Sequence, residues 1–276
     1  MTPDPAKKKV TAFVGTASRK HTYKAVRQFL DDLQSTGDVE SEIVALSDYR
    51  IGTCRGCKLC FERGEHACPL KDDRDVLIEK MMASDGVVFA TPNISFHLSA
   101  MMKLFLDRLG FALHRPRFFG KTFTSIVAQG IFRGKKIVSY FDFVAKCLGF
   151  NTVKGTCFTA FDPMMPNEKR KLDNALAKQS RRFHERLMKH SFPAPSLVML
   201  MGFRMARTSI RLELDDNSFD YRYYQDKGWF GSDYFYPVRL GPVKKLAGSL
   251  FDSVQEKRTK KRLSGNMKTH GPNENS

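Results

Sequence analysis

The chain has 276 residues, 42% of them hydrophobic, with 46 basic against 29 acidic side chains and a formal net charge of +17. That is enough for one large domain with an extension or for two modest domains, and its composition is that of an ordinary globular protein. No stretch approaches the roughly 18 consecutive apolar residues of a membrane span, and the start, "MTPDPAKKKVTAFVG", lacks the apolar core and cleavage site of a secretory signal. A reducing, cytoplasmic setting is therefore expected, in which clustered cysteines point to metal or redox chemistry rather than to a disulfide framework. The basic excess favours polyanions in general. It is spread along the chain, peaking in "NEKRKLDNALAKQSRRFHERLMKH" and in the terminal "EKRTKKRLSGNMKTHGPNENS", and neither segment carries a zinc-finger, helix-turn-helix or RNA-binding signature. No specific nucleic-acid partner is expected.

In chain order, "KKVTAFVG" (8 to 15) reads as a strand and "KAVRQFLDDLQ" as a helix, with Val26, Phe29, Leu30 and Leu33 at helical spacing. "VESEIVALS" is a second strand, the cysteine-rich stretch a loop, and "DDRDVLIEKMMAS" a helix opened by acids. "DGVVFATP" is apolar almost throughout, as a strand buried on both faces should be. "SAMMKLFLDRLGFAL" follows as a helix, "KTFTSIVAQG" as a strand, "KKIVSYFDFVAKCLGF" as a helix, "NTVKGTCFTA" as a strand, and residues 167–190 as a long helix. Five strands alternating with five helices predict an α/β fold, a doubly wound five-stranded parallel sheet with helices on both faces. Ligands of such sheets sit beyond the carboxyl ends of the strands, so the loops after strands one, three and four are the places to look.

The alternation stops near residue 190, which divides the chain into a domain over 1–190, containing the cysteine loop 54–68, an extension over 191–256 and a basic tail over 257–276, expected to be disordered. Within the extension, Arg204, Arg207 and Arg211 fall on one helical face, and residues 219–236 hold nine aromatics in eighteen positions. The first pattern fits either a helix packed on a core or one lying weakly on an anionic membrane. The second fits a lid, a hydrophobic plug or an oligomer contact.

"GTASRKHTYKAV" (15 to 26) stands where a strand turns into a helix. Small and hydroxyl residues there let backbone amides approach an anion, and the helix N-terminus adds positive potential. It matches neither the dinucleotide fingerprint nor the nucleotide P-loop. A plain helix cap with a surface arginine is the bland alternative.

This stretch resembles the "G-S-x-R" phosphate loop of the flavodoxin-like, NAD(P)H-dependent FMN reductase family, and two later segments agree. "ATPNISFHLSAMMKLFLDRLG" is similar to that family's third-strand exit, and "AQGIFRGKK" to its loop along the other side of the flavin. The resemblance runs over residues 8 to 190 in order and spacing. It implies a flavodoxin-like fold with an aromatic-rich C-terminal extension, and FMN as cofactor. It places Thr16, Ser18, Arg19 and Thr22 on the phosphate, Pro92, Asn93, Ile94, Ser95 and Phe96 against the isoalloxazine, and Gln129, Gly130 and Gly134 along its border. "T-A-S-R-K-H-T" departs from the family's more usual "S-x-R-x-x-x-N-T". No catalytic side chain is implied, since the flavin carries the chemistry. His97 is read as packing at a strand end, and Asp107 with Arg108 as an ion pair anchoring their helix.

Cys54, Cys57, Cys60 and Cys68 have C-x2-C-x2-C-x7-C spacing, followed by Pro69. The first three repeat the ferredoxin pattern, with the fourth farther off. Four thiolates also suit zinc, though structural zinc sites usually use two separate C-x-x-C pairs, and a redox thiol pair or unligated thiols are further readings. Cys147 and Cys157 are most simply small buried residues. Among FMN reductase relatives the compact motif resembles that of the iron-sulfur flavoproteins, which implies a [4Fe-4S] cluster beside FMN, a ferredoxin-like carrier or NAD(P)H as donor, and a homodimer or homotetramer. The competing readings are an NAD(P)H-dependent quinone or flavin reductase without a cluster, and a non-enzymatic module of the same fold binding anionic surfaces.

Overall fold

A computed structural model of the chain describes residues 7–189 and 191–269. The described residues divide into two compact units, one formed by those up to Gly56 and from Leu70 to Ser191, the other by Cys57–Pro69 together with those from Phe192 onward. The cysteine loop, expected within the first domain, is thus split: Cys54 belongs to the first unit and Cys57, Cys60 and Cys68 to the second.

In the first unit the elements run β1 (Lys8–Val14), α1 (His21–Gln34) and β2 (Val39–Ala45); after the short α2 (Leu59–Glu62) of the other unit come α3 (Arg74–Ala83), β3 (Gly86–Ile94), β4 (His97–Leu98), α4 (Ala100–Arg108), α5 (Gly110–His114), β5 (Thr122–Gln129), α6 (Gly134–Leu148), β6 (Asn151–Thr152), β7 (Thr156–Thr159) and α7 (Pro166–Leu187). The strands order as β2-β1-β3-β5-β6, with β7 also on β5 and β4 folded back on β3. All pairs are parallel except β3 with β4. The direction of winding reverses between β1 and β3, which opens a crevice at their carboxyl ends.

Burial on both faces explains why β1 and β3 read as continuous apolar runs. Val10, Ala12 and Val14 pack with Phe29 of α1 and Phe183 of α7, rings that meet edge to face at 5.6 Å. The intervening Phe13 stacks on Phe105 of α4 at 5.4 Å, and Phe89 of β3 meets Phe123 of β5 at 5.1 Å. Each such ring, buried, stabilises the fold by about 1.5–3 kcal/mol. The sheet ends that carry the loops are therefore fixed by this packed core.

Three expectations need correction. The fifth strand is two short segments, because Gly155 lies so close to Ser125 that a Cβ there would fall 2.5 Å from its carbonyl oxygen; the chain kinks past β5 and resumes pairing at Thr156. The helix expected over 99–113 breaks at Leu109 into α4 and α5. Asp107 and Arg108 do not pair with each other: Asp107 takes Lys103, one helical turn earlier, and the buried Arg108 reaches Asp72 at 3.0 Å. One turn of helix separates partners more readily than adjacent positions do, which point to different sides.

The second unit contains α8 (Leu197–Glu213), α9 (Phe219–Asp226), a 3-10 turn at Trp229–Gly231 and α10 (Pro242–Thr269). Its aromatics form its own core: Trp229 meets Tyr224 at 4.9 Å and Phe235 at 4.8 Å, its indole N–H donates to the Phe235 carbonyl, and Phe203 packs on Phe235 at 4.5 Å. Arg204 and Arg207, placed by periodicity on one face, lie on the buried side. Both guanidiniums bond the Asp252 carboxylate, at 2.9 and 2.7 Å, so they are not presented to a membrane. No helix among the described residues is long and apolar enough to cross one. Disorder expected from residue 257 is also corrected: α10 continues to Thr269, held where the buried Thr259 donates to Glu213 of α8 at 3.0 Å. Residues 270–276 of that tail lie outside the described residues.

Candidate functional site

The loop after β1 leaves the sheet through a passage that only glycine fits. A Cβ on Gly15 would lie 2.8 Å from both Met102 Cβ and Ser99 Oγ. Ser99 Oγ in turn donates to the Gly15 carbonyl at 2.6 Å and accepts from the Met102 amide that opens α4. Thr16 Oγ1 then accepts the Ser18 N–H at 3.1 Å, turning the chain toward α1. No side chain caps α1 at its start. Its first amides and the positive end of its dipole are thereby left for a ligand.

A cleft of about 240 Å³ lies against this helix start. It is lined by Thr16, Ser18, Lys20, His21 and Thr22 from the first loop, Pro92 and Asn93 from the end of β3, Ala128, Gln129 and Gly130 from the end of β5, and Ala160 beyond β7. The three loops singled out in the sequence thus converge at the switch point of the sheet. Lys20, His21, Ala128 and Ala160 were missed. Lys20 and His21 stand at the helix start, where position alone marked them; Ala160 arrives only because its N–H pairs with the Gln129 carbonyl at 2.8 Å, a strand register that no local motif encodes.

Five expected contributors do not line the cleft: Ile94, Ser95 and Phe96, which follow Asn93 beyond it, and Arg19 and Gly134. Arg19 is exposed, lies over the Tyr23 ring at 5.0 Å and faces Asp48 at 3.7 Å. Gly134 is buried at the start of α6, where its N–H donates to Gln129 Oε1 at 2.7 Å. Its part is to hold the Gln129 carboxamide in place.

The rim is unusual. Asn93 donates through Nδ2 to the Phe132 carbonyl at 2.8 Å, tying the β3 exit to the β5 exit. Its Oδ1 is buried with no hydrogen-bond partner among the described residues, an acceptor left for a donor that enters the cleft. Ile94 and His97 pair across a two-residue turn whose central residues, Ser95 and Phe96, have φ of 49° and 62°. Positive φ at both positions is the type I′ signature, normally met by Asn-Gly. A phenylalanine in that conformation costs about 1–2 kcal/mol. The ring it projects stacks on Phe132 at 5.0 Å, although the two residues are 55% and 51% exposed. His97 packs against Tyr140, as a strand-end residue should.

The cysteine segment is built differently. Its stem is firm: Asp72 accepts the Gly52 N–H at 2.8 Å, and Asp73 accepts the Arg50 N–H at 2.6 Å. Beyond it the chain turns through positive φ at Gly56, Lys58 and Gly64, the last fitting under His66 and Phe219 where a Cβ would come within 2.9 Å of each. Cys54 and Cys57 are exposed, and Cys60 and Cys68 half-buried. No group of three or more His, Cys, Asp or Glu side chains among the described residues is gathered so as to hold a metal ion. Cys147 and Cys157 are half-buried, and burial pushes both thiols up, away from the reactive thiolate.

A parallel sheet with an uncapped helix start, hydroxyls and a buried acceptor at its switch point defines a doubly wound, flavodoxin-like α/β protein. The profile of the NADPH-dependent FMN reductase family matches residues 8–161; the chain belongs to that family. An iron-sulfur flavoprotein of Archaeoglobus fulgidus is 33% identical over 141 residues, 49% of this chain and 63% of the relative. One from Methanocaldococcus jannaschii is 34% identical over 88 residues, 32% of this chain and 44% of the relative. The chain thus spans less than two thirds of either. Among solved structures, RosB with a bound 8-demethyl-8-formylriboflavin-5'-phosphate shares the fold at a TM-score of 0.51 and 14% identity, over 85% of this chain and 92% of that one. A flavone reductase does so at 0.52 and 15%, over 67% and 66%.

Proposed function

We propose that the chain is an FMN-dependent oxidoreductase with NAD(P)H as donor, its flavin seated in the cleft at the switch point. The observation that carries the reading is the convergence of an uncapped α1 start, Thr16, Ser18 and Thr22 with an orphaned acceptor, Asn93 Oδ1, in one cleft. FMN asks for such a pair of features, a dianionic phosphate at one end and an imide N–H on its ring at the other. Bound there, FMN would take a hydride from NAD(P)H and release electrons singly or in pairs. The hydroxyls and N-terminal amides of the first loop would bind the phosphate, and Lys20 would add positive charge. Asn93 and the Gln129 carboxamide would orient the ring, while Pro92 and the rim beginning at Ile94 would limit water beside it. Ile94, Ser95 and Phe96 belong to that rim, and Gly130 would leave the β5 exit beside the ring free of a side chain.

Titrating the purified chain with FMN and following the flavin spectrum tests this. Stoichiometric uptake, followed by bleaching with NAD(P)H, supports the reading; failure to take up FMN overturns it.

A second reading adds a [4Fe-4S] cluster on Cys54, Cys57, Cys60 and Cys68, with a ferredoxin-like carrier as donor. Cysteine spacing and the printed names of the relatives favour it. Iron and labile sulfide assayed after anaerobic purification decide: about four of each per chain supports it, and none after reconstitution removes it. Assembly into a dimer or tetramer rests on the family resemblance alone, and sedimentation reads it.

A further inference from the structure

We propose that Phe132, stacked on Phe96 at the mouth of the cleft, is a specificity residue that selects planar, apolar electron acceptors over small ions. The inference rests on the flavin reading and adds to it the class of acceptor.

Both rings are held out by backbone that resists relaxing. Phe96 sits at the second central position of a turn with two positive φ values, and Phe132 directly precedes Arg133, whose φ is 72° as it enters α6. Asn93 Nδ2, bonded to the Phe132 carbonyl, fixes one loop against the other. The flanking Ile94 and Ile131 are 54% and 76% exposed, so the rim presents two aromatic and two aliphatic side chains beyond cleft-lining Asn93 and Gly130. An ordinary turn would carry Asn-Gly there and expose nothing apolar. Strain kept for the sake of an exposed ring is explained when the ring has something to stack on.

At 5.0 Å the two rings already touch, with 29° between their planes, leaving no slot for a third ring between them. An acceptor ring extends the stack instead, gaining area and offset contact that a hydrated ion cannot gain. For a quinone the overall step balances as NAD(P)H, one proton and quinone giving NAD(P)⁺ and hydroquinone: a nicotinamide C–H bond breaks, two electrons pass, and two O–H bonds form.

The test uses the full chain loaded with FMN and tetramethyl-1,4-benzoquinone, whose ring positions are blocked against attack by the exposed thiols. Without any reductant, calorimetry of Phe132→Ala should show about tenfold weaker quinone binding than the wild type, and Phe132→Tyr should restore it. In turnover, the ratio of kcat/KM for the quinone to that for ferricyanide should fall about tenfold in Phe132→Ala. Quinone affinity and ratio unchanged in a variant that still holds FMN overturn this inference alone. A wild-type chain that takes up no FMN overturns the reading of the cleft, and this inference with it.

Discussion

The cleft and the cysteine segment both carry residues that the sequence marks for chemistry, and they are held in opposite ways. Around the cleft, each loop leaves a strand buried on both faces, so Thr16, Asn93 and Gln129 are placed by the register of β1, β3 and β5. The cysteine segment is fixed at its stem by Asp72 and Asp73, and past it depends on a four-residue helix and on Gly64 packed under His66 and Phe219. A sheet edge presents its site in advance of the ligand. Were the thiols of the other loop to take a cluster, their gathering would be left to the metal, because binding free energy would then also be folding free energy.

The largest expected effect tests whether the cysteine-bearing unit has a core of its own. Asp252 is the carboxylate between two buried guanidiniums, Arg204 and Arg207, and also accepts from Thr208 at 2.9 Å. Asp252→Ala takes the shared carboxylate from both, leaving Arg204 with Asp233 and Arg207 with the Ser232 carbonyl, and should destabilise that unit by about 3 kcal/mol. Cys60 and Cys68, half-buried in the wild type, should then react faster with a thiol reagent. A change under ~1 kcal/mol in urea unfolding, with unaltered thiol kinetics, would break the comparison.

Next in size is the stem. Burial pushes the Asp72 carboxyl up, but the Arg108 guanidinium and the Gly52 and Arg74 amides outweigh it and hold the group below the ordinary carboxylate range. A depressed folded pKa contributes stability that is complete above the unfolded value of about 3.9 and is lost as pH falls through the folded one. Asp72→Asn should therefore cost about 2–3 kcal/mol at neutral pH and flatten the acid limb of stability below about pH 4. An unchanged acid limb would show that this buried pair does not anchor the stem. For the cleft, Gly15→Ala inserts a methyl group 2.8 Å from Met102 Cβ and Ser99 Oγ. It should cost about 1–3 kcal/mol and weaken FMN binding by displacing the first loop; full FMN affinity would mean that the loop's path is not set at that passage.

What the sequence disclosed follows the same division. Alternation of apolar runs with helical periods made the doubly wound sheet readable, since β1 and β3 are apolar for a reason intrinsic to burial on both faces. Thr16, Ser18, Thr22, Pro92, Asn93, Gln129 and Gly130 were legible because strand ends and motif residues coincide there. Ala160 was not, being delivered by long-range pairing, and Phe132 looked like any loop residue until its stacking on Phe96 was seen. Arg204 and Arg207 misled because periodicity gives a face and says nothing of the Asp252 that waits across it. The fifth strand broke at Gly155 through a close approach to Ser125, which no local pattern records.

Arg19 gives the smallest effect and the sharpest discrimination. The family resemblance places it on the phosphate, whereas its guanidinium lies over Tyr23, hydrogen-bonds the Tyr23 hydroxyl at 3.0 Å and faces Asp48. The ion pair is exposed on both sides, so it adds little to stability. If the cradle binds phosphate with amides and hydroxyls, Arg19→Ala should weaken FMN by less than about threefold, under ~0.7 kcal/mol, and lessen the dependence of binding on salt only slightly. A loss of tenfold or more, strongest at low ionic strength, would mean that the guanidinium leaves Tyr23 and swings onto the phosphate when FMN arrives. The cleft would then be completed by its ligand, and its difference from the cysteine segment would be one of degree.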